Sequence, residues 1–199
     1  MYSNGLHQGV GGIERGLRSL TNEKSFKVLL STDWNIQQKL FAQAVFYHQN
    51  IQDYIFLAPQ NELQLDIRGA FPIFQYDQTD ATISGMDFLF SYEPTEALKL
   101  TTKYAFVRGN DIRNDIPLIS LPANNLSGNL TYSLKDGTRF KNTSVNVNGK
   151  YVFRQNHLLT DNSRFPDRGV NSLLQGQDFL APPAAYFLLG FNLSILCTG

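Results

Sequence analysis

Residues 67–94 read IRGAFPIFQYDQTDATISGMDFLFSYEP, and from Phe74 onward the stretch alternates. Phe74, Tyr76, Gln78, Asp80, Thr82, Ser84, Met86, Phe88, Phe90 and Tyr92 fall on one side. Gln75, Asp77, Thr79, Ala81, Ile83, Gly85, Asp87, Leu89 and Ser91 fall on the other. Successive side chains of a strand leave it in opposite directions, so a period of two means a strand with two different faces. The run is about 19 residues, against the usual 5–6, which is too long for an ordinary sandwich. Its first half is polar on both faces. Its second half sets Met86, Phe88, Phe90 and Tyr92 outward against Gly85, Asp87 and Ser91. A strand that starts in water and then enters lipid as part of a barrel wall has this pattern.

The composition agrees with that reading. Charged residues make up 17% of the 199, below the roughly 25% of soluble domains, and aromatics reach 13%. Seventeen basic and 17 acidic residues cancel, leaving no electrostatic footprint for nucleic acid. No run of 18 apolar residues exists, which excludes a transmembrane helix but not a barrel, whose alternate residues alone face lipid. The start, MYSNGLHQGV, lacks the charged and apolar blocks of a signal peptide, whereas a barrel requires export. Cys197 is the one cysteine, so no internal disulfide forms.

Working outward from the long strand, alternation predicts six more. The first covers about Lys24 to Trp34, with Trp34 as an interfacial aromatic, and the second about Lys39 to Phe56. The next begins at Leu98; others span about Asn124 to Leu134, Asn142 to Phe153 and Ala184 to Ile195. Residues 1–22, rich in glycine, read as loop. Ala58-Pro59-Gln60-Asn61 reads as a hairpin-like turn. The connections then sort by length: 35–37, 93–97 and 135–141 are short, while 57–73, 109–123 and 154–183 are long. Strands of a meander alternate ends, so every short turn falls at one end and every long loop at the other. The expected fold is all-β, an antiparallel up-and-down meander forming a partial segment of a transmembrane β-barrel.

The residues also carry a resemblance. Ile67-Arg68-Gly69-Ala70-Phe71-Pro72, Gln78-Thr79-Asp80-Ala81, Ser84-Gly85-Met86-Asp87 and Ser91-Tyr92-Glu93-Pro94 resemble the C-terminal barrel of TonB-dependent outer-membrane receptors. Further pieces, among them Glu14-Arg15-Gly16, Asp53-Tyr54-Ile55 and Pro117-Leu118-Ile119, extend the likeness over nearly the whole chain. The resemblance implies a 22-stranded barrel in the bacterial outer membrane, plugged by an N-terminal domain. Such a receptor imports a siderophore, haem, cobalamin or glycan with energy from an inner-membrane TonB complex. The expected partners are therefore outer-membrane lipid, the plug domain, the remaining barrel strands and that complex, with no nucleic acid and no cofactor. Residues 1–199 show neither plug nor closing strand, and the expectation is an incomplete C-terminal portion of such a barrel.

Few side chains suggest chemistry. His7, His48 and His157 lack metal-ligand spacing. Asp77 with Asp80, and Asp111 with Asp115, are carboxylate pairs without the spaced ligands of a calcium loop. No nucleophile and base are paired, so no catalysis is expected. The candidate ligand-binding residues are Arg108, Arg113, His157 and Arg164, at expected external loops. With Arg154 and Arg168 they would attract an anionic ligand or pair with lipopolysaccharide phosphates; the plainer reading is a solvated loop rim. Lys99, Lys103 and Lys150 would point into the lumen. Four Asn-X-Ser/Thr sequons read most simply as polar lumen-facing rows. The rival reading is a soluble extracellular all-β carbohydrate-binding module, which would also explain the aromatics and the asparagine-rich faces.

Overall fold

The computed structural model describes residues 4–7, 11–37, 39–118, 121–135, 137, 140–157 and 184–197. Seven strands form an antiparallel meander in chain order. They are β3 (Lys24–Ile36), β4 (Leu40–Asp66), β5 (Gly69–Thr95), β6 (Leu98–Asp111), β8 (Asn125–Ser133), β9 (Phe140–Val152) and β10 (Tyr186–Cys197). Three short strands, β1 (Asn4–His7), β2 (Gly12–Arg15) and β7 (Ile116–Pro117), join the sheet at the long-loop end. Among the described residues, β3 and β10 are each paired along one side only, so the wall is open.

Register fixes which residues share a face. Phe88 lies opposite Ala44 and Tyr104, and the same row runs on through Leu126 and Tyr151 to Phe187. Toward the short-turn end, Tyr92, Leu100, Leu130, Val147 and Phe191 make a parallel row. These rows form one continuous apolar face. On β6 that face runs from Leu98 to Phe106, matching the roughly 9–11 residues a tilted strand needs to cross a bilayer. No helix among the described residues is long and apolar enough to cross a membrane. Tyr104 and Tyr151 both meet Phe153 edge-on, with ring centroids 6.4 and 4.8 Å apart. Such pairs add about 0.5–1.5 kcal/mol beyond their area burial and cluster aromatics at the long-loop edge of the apolar face.

The opposite face is polar. Lys103, Ser127 and Lys150 share one row, and Thr101, Asn129 and Asn148 the next. Asn146 donates to Thr131 Oγ1 (3.0 Å) across the strands. Gly85 is needed on this face because the Tyr47 ring occupies the space a Cβ would fill.

Two expectations are corrected. Residues 57–73 are not a long loop: β4 and β5 stay paired out to Asp66 and Gly69, leaving Ile67 and Arg68 as the turn. Gly69, at φ +132°, supplies a backbone conformation that L side chains rarely adopt. The strand was misread because the register shifts between Ile51 and Tyr54 and again between Pro59 and Leu63. The first shift adds one residue to β4 and moves later side chains to the other face; the second adds two and interrupts the ladder without reversing the faces, so no single period of two spans β4. Residues 1–22 are not all loop either. β1 and β2 pair antiparallel, and β2 lies parallel to β5 at Ile13 opposite Ile73. There it occupies the edge of β5 that β6, ending at Asp111, does not reach. The connection expected at 154–183 lies outside the described residues from 158 onward.

Candidate functional site

The chemistry of the molecule gathers where β4, β5 and β6 leave the apolar band. The first bulge of β4 centres on Asp53, a non-glycine residue at φ +55°. A bulge removes backbone groups from the ladder, and those groups need other partners. Asp80 accepts from the Asp53 amide (3.1 Å), and Gln78 Nε2 donates to the Asp53 carbonyl (2.9 Å). Two β5 side chains thus satisfy both backbone groups of the bulged residue. Gln78 also binds Thr21 twice, accepting from its amide and donating to its carbonyl (2.8 Å each). Glu23 accepts from the Ile55 amide at 2.5 Å. The segment leading into β3 is thereby tied to the bulge.

Arg113 closes this rim from the other side. Its Nε and one terminal nitrogen donate to the two oxygens of Asp80 (2.8 and 3.0 Å), and that nitrogen also reaches Asp53 (3.2 Å). A fork-to-carboxylate pair of this kind is geometrically specific. The Arg113 hydrogen bond, followed by that of the Asp53 amide, holds the Asp80 carboxyl below its ordinary value. On the other face of β5, Thr79 donates to Asp111 Oδ1 (2.5 Å), and both residues are 1% exposed. Asn114 donates to Asp111 from its amide and its side chain, starting the turn that ends β6. Higher on the extension, Tyr76 donates to the buried Glu14 (3.0 Å). Desolvation, then that hydrogen bond, raises the Tyr76 phenol.

A second feature is a notch of about 70 Å³ above the start of β8, bounded by Arg108, residues 121–124 and residues 154–157. Gln155 donates to the Leu121 carbonyl (3.1 Å), and His157 Nε2 meets Asn110 Oδ1 (2.8 Å), which fixes the walls. The Arg108 guanidinium lies 5.3 Å from the centre of the Phe106 ring.

Of the four residues singled out from sequence, Arg108 and His157 meet at this notch, while Arg113 is engaged in the rim pairs. Arg164, like Arg168, lies outside the described residues. His48 Nδ1 is 2.7 Å from Ser84 Oγ; the His7 side chain also lies outside the description. Among the described residues, no group of three or more His, Cys, Asp or Glu side chains is placed to hold a metal. Lys99 pairs with Glu93 at 2.7 Å, near the short-turn end. Sequence reading missed Glu14, Gln78 and Thr79 as rim members. Only the excess of polar residues in the first half of the long strand pointed to them.

An open antiparallel wall, apolar on one face, polar on the other, with all long connections at one end, defines a segment of a transmembrane β-barrel. The sequence matches the TonB dependent receptor-like β-barrel family over residues 1–195, and the chain belongs to that family. Its fold is similar to that of the copper transporter OprC (22% identity, TM-score 0.65), over 88% of this chain and 24% of that one. It is also similar to the siderophore receptor PirA from Acinetobacter baumannii (15% identity, TM-score 0.62), over 92% of this chain and 27% of that one. The chain thus spans about a quarter of the length of these two proteins. A search of curated proteins found no match.

Proposed function

We propose that this chain forms the wall and the external rim of a TonB-dependent uptake receptor in the bacterial outer membrane. The observation that carries the reading is the sorting of the two ends. Apolar rows of membrane-crossing length face out, polar rows face in, and the elaborated connections all leave at one end. Lipid tolerates no unpaired backbone, so the strands contribute a continuous hydrogen-bonded ladder. The polar inner face, with Lys103 and Lys150, suits contact with a plug domain and water. The extended β4–β5 hairpin and the connection after β6 form the surface that first meets the imported ligand. Within it Arg113 holds the rim in shape. The barrel supplies positioning and passage, and no bond-making chemistry is assigned to it. A soluble carbohydrate-binding module would have to leave the row from Phe88 to Phe187 facing water.

The imported cargo falls in the class of siderophores, haem, cobalamin or glycans, too large for simple diffusion. The test is energised uptake by the intact receptor. Cells lacking it should lose accumulation of one such ligand and regain it on complementation, only while the inner-membrane energy coupling works. Uptake that persists without energy coupling would refute the proposal.

A further inference from the structure

On the outward face of β4, β5 and β6 the last apolar row is Phe46, Met86 and Phe106, and polar rows begin at His48, Ser84 and Arg108. Above them the outward column of β5 runs through Thr82 to Asp80, Gln78, Tyr76 and Phe74. Each of these last four side chains holds a residue from outside the β4–β5 hairpin. Asp80 takes the Arg113 fork, Gln78 takes both backbone groups of Thr21, and the Tyr76 hydroxyl donates to Glu14. The Phe74 ring covers Gly12, where a Cβ would come within 2.5 Å of it.

The path of the chain between these contacts crosses the hairpin. Ile13, Glu14 and Arg15 pair with β5 on the flank that β6 has left, whereas Lys24 pairs with Gln52 on the far flank, beyond β4. Residues 16–23 therefore pass over both strands, and the bonds of Thr21 to Gln78 put the crossing on the outward face. Glu23 completes it by accepting from the Ile55 amide, on the stretch of β4 that β3 does not reach. Leu17 and Leu20 are half-buried in the crossing. We infer that residues 16–23 are a fixed strap, and that the column from Phe74 to Asp80 locks this strap, β2 and the turn after β6 onto the hairpin. The four parts then form one rigid body that stays closed through the whole uptake cycle, an inference that rests on the uptake reading above. A surface ordered in advance loses no further conformational freedom when it meets a ligand. Any closure over a captured ligand has to come from connections elsewhere in the receptor.

The experiment uses the intact receptor in whole cells. Arg15→Cys with Gln75→Cys joins β2 to β5 by a disulfide, since ladder partners stand about 4.8 Å apart, inside the span a disulfide needs. Cys197→Ser removes the chain's own thiol. Uptake is followed with whichever of a ferric siderophore, haem, cyanocobalamin or a maltodextrin the parent receptor accumulates. Oxidised and reduced receptor should accumulate it at rates within about twofold of each other, because the bond blocks no gating step. An oxidised receptor that stops accumulating it and recovers on reduction would overturn the inference, since β2 would have to detach. Hydrogen exchange on the purified receptor tests the lock without any ligand. Gln78→Ala should speed exchange about tenfold at Thr21, which loses its partner, and also at residues 13–15, which pair elsewhere on β5. Exchange in β8 and β9 should not change. A rise confined to Thr21 would show that the contacts act singly, and would equally sink the rigid body. If Gln78→Ala fails to insert, Tyr76→Phe decides: it removes one hydroxyl and should still speed exchange at Thr21 about threefold. The transport reading fails separately, as a receptor with a closed strap that accumulates none of the four ligands.

Discussion

The β4–β5 hairpin is two structures built on one pair of strands. Between Leu40 and Ile51 the register with β5 is unbroken, and the outward side chains are apolar up to Phe46. Beyond Ile51 the register shifts twice within a few residues, and polar side chains take over the work of holding the strands. The lower half has a laterally continuous partner on each side, so regular backbone pairing satisfies every peptide group there. The upper half loses β6 at Asp111 and has to recruit β2, Arg113 and the segment before β3. In lipid, any ladder defect would leave unsatisfied groups, so the wall keeps its register. In water a bulge is tolerated, because side chains and solvent can satisfy what it exposes.

The largest effect expected from this contrast is at Phe88. Arginine there would sit in the apolar band of the intact receptor and cost about 2–4 kcal/mol of membrane stability. Heat-resistant migration of the folded barrel on gels should be lost or reduced; unchanged migration would mean the outward face has been misassigned. Next comes Thr79→Val. The hydroxyl is buried and donates to buried Asp111, and removing a hydrogen bond to a charged group costs about 1.5–3 kcal/mol. The loss should appear as faster amide exchange at Ile112 and Asn114, with the wall unaffected. Exchange that rises equally in β8 and β9 would show that the two halves are not independent.

The difference between the halves also explains what could be read without coordinates. The outward residues of β5, β6, β8 and β9 were legible because their periodicity runs uninterrupted between short turns, and one face had a single solvent. The sorting of connections by length added the topology. The upper hairpin was not legible. The bulge at Asp53 reverses the parity of β4, so Tyr54 and Phe56 face the side that Phe41 and Val45 face only after a shift that composition does not announce. Pro59 and Asn61 then read as a turn, although pairing continues past them. Arg113 was noticed as a charge near a loop. That it would spend that charge on Asp80 and Asp53 depends on separations of 33 and 60 residues, which local pattern does not reveal.

A smaller effect follows from acid. Asp80 has a folded-state carboxyl held below the ordinary 3.8 by Arg113 and the Asp53 amide. A depressed carboxylate contributes stability above its unfolded value and loses it as pH falls through the folded value. The rim clamp should therefore be constant from neutral pH down to about 4 and release only below that. Amide exchange at Asp53 and Ile112 in the intact receptor, followed against pH, would show it. Asp80→Asn should abolish the acid step and leave both amides exchanging faster at every pH. An acid step that survives in Asp80→Asn would place the titrating group elsewhere.

The smallest effect sharpens the comparison most. Leu65 is 81% exposed, near the tip of the same hairpin that carries Phe88. Both are large apolar residues on extended strands, and a scale of strand propensity would treat their replacement by a charge alike. If the upper hairpin stands in water, Leu65→Arg should change stability by no more than about 0.5 kcal/mol, as exposed surface substitutions do. Heat-resistant migration and outer-membrane yield should match those of the parent receptor. A cost at Leu65 comparable to that at Phe88 would mean that the extension is buried against lipid or another part of the receptor. The boundary at the row of His48, Ser84 and Arg108 would then have to be moved outward. The neutral outcome at Leu65 thus supports both the water-exposed hairpin tip and an apolar band that ends at the row of Phe46, Met86 and Phe106.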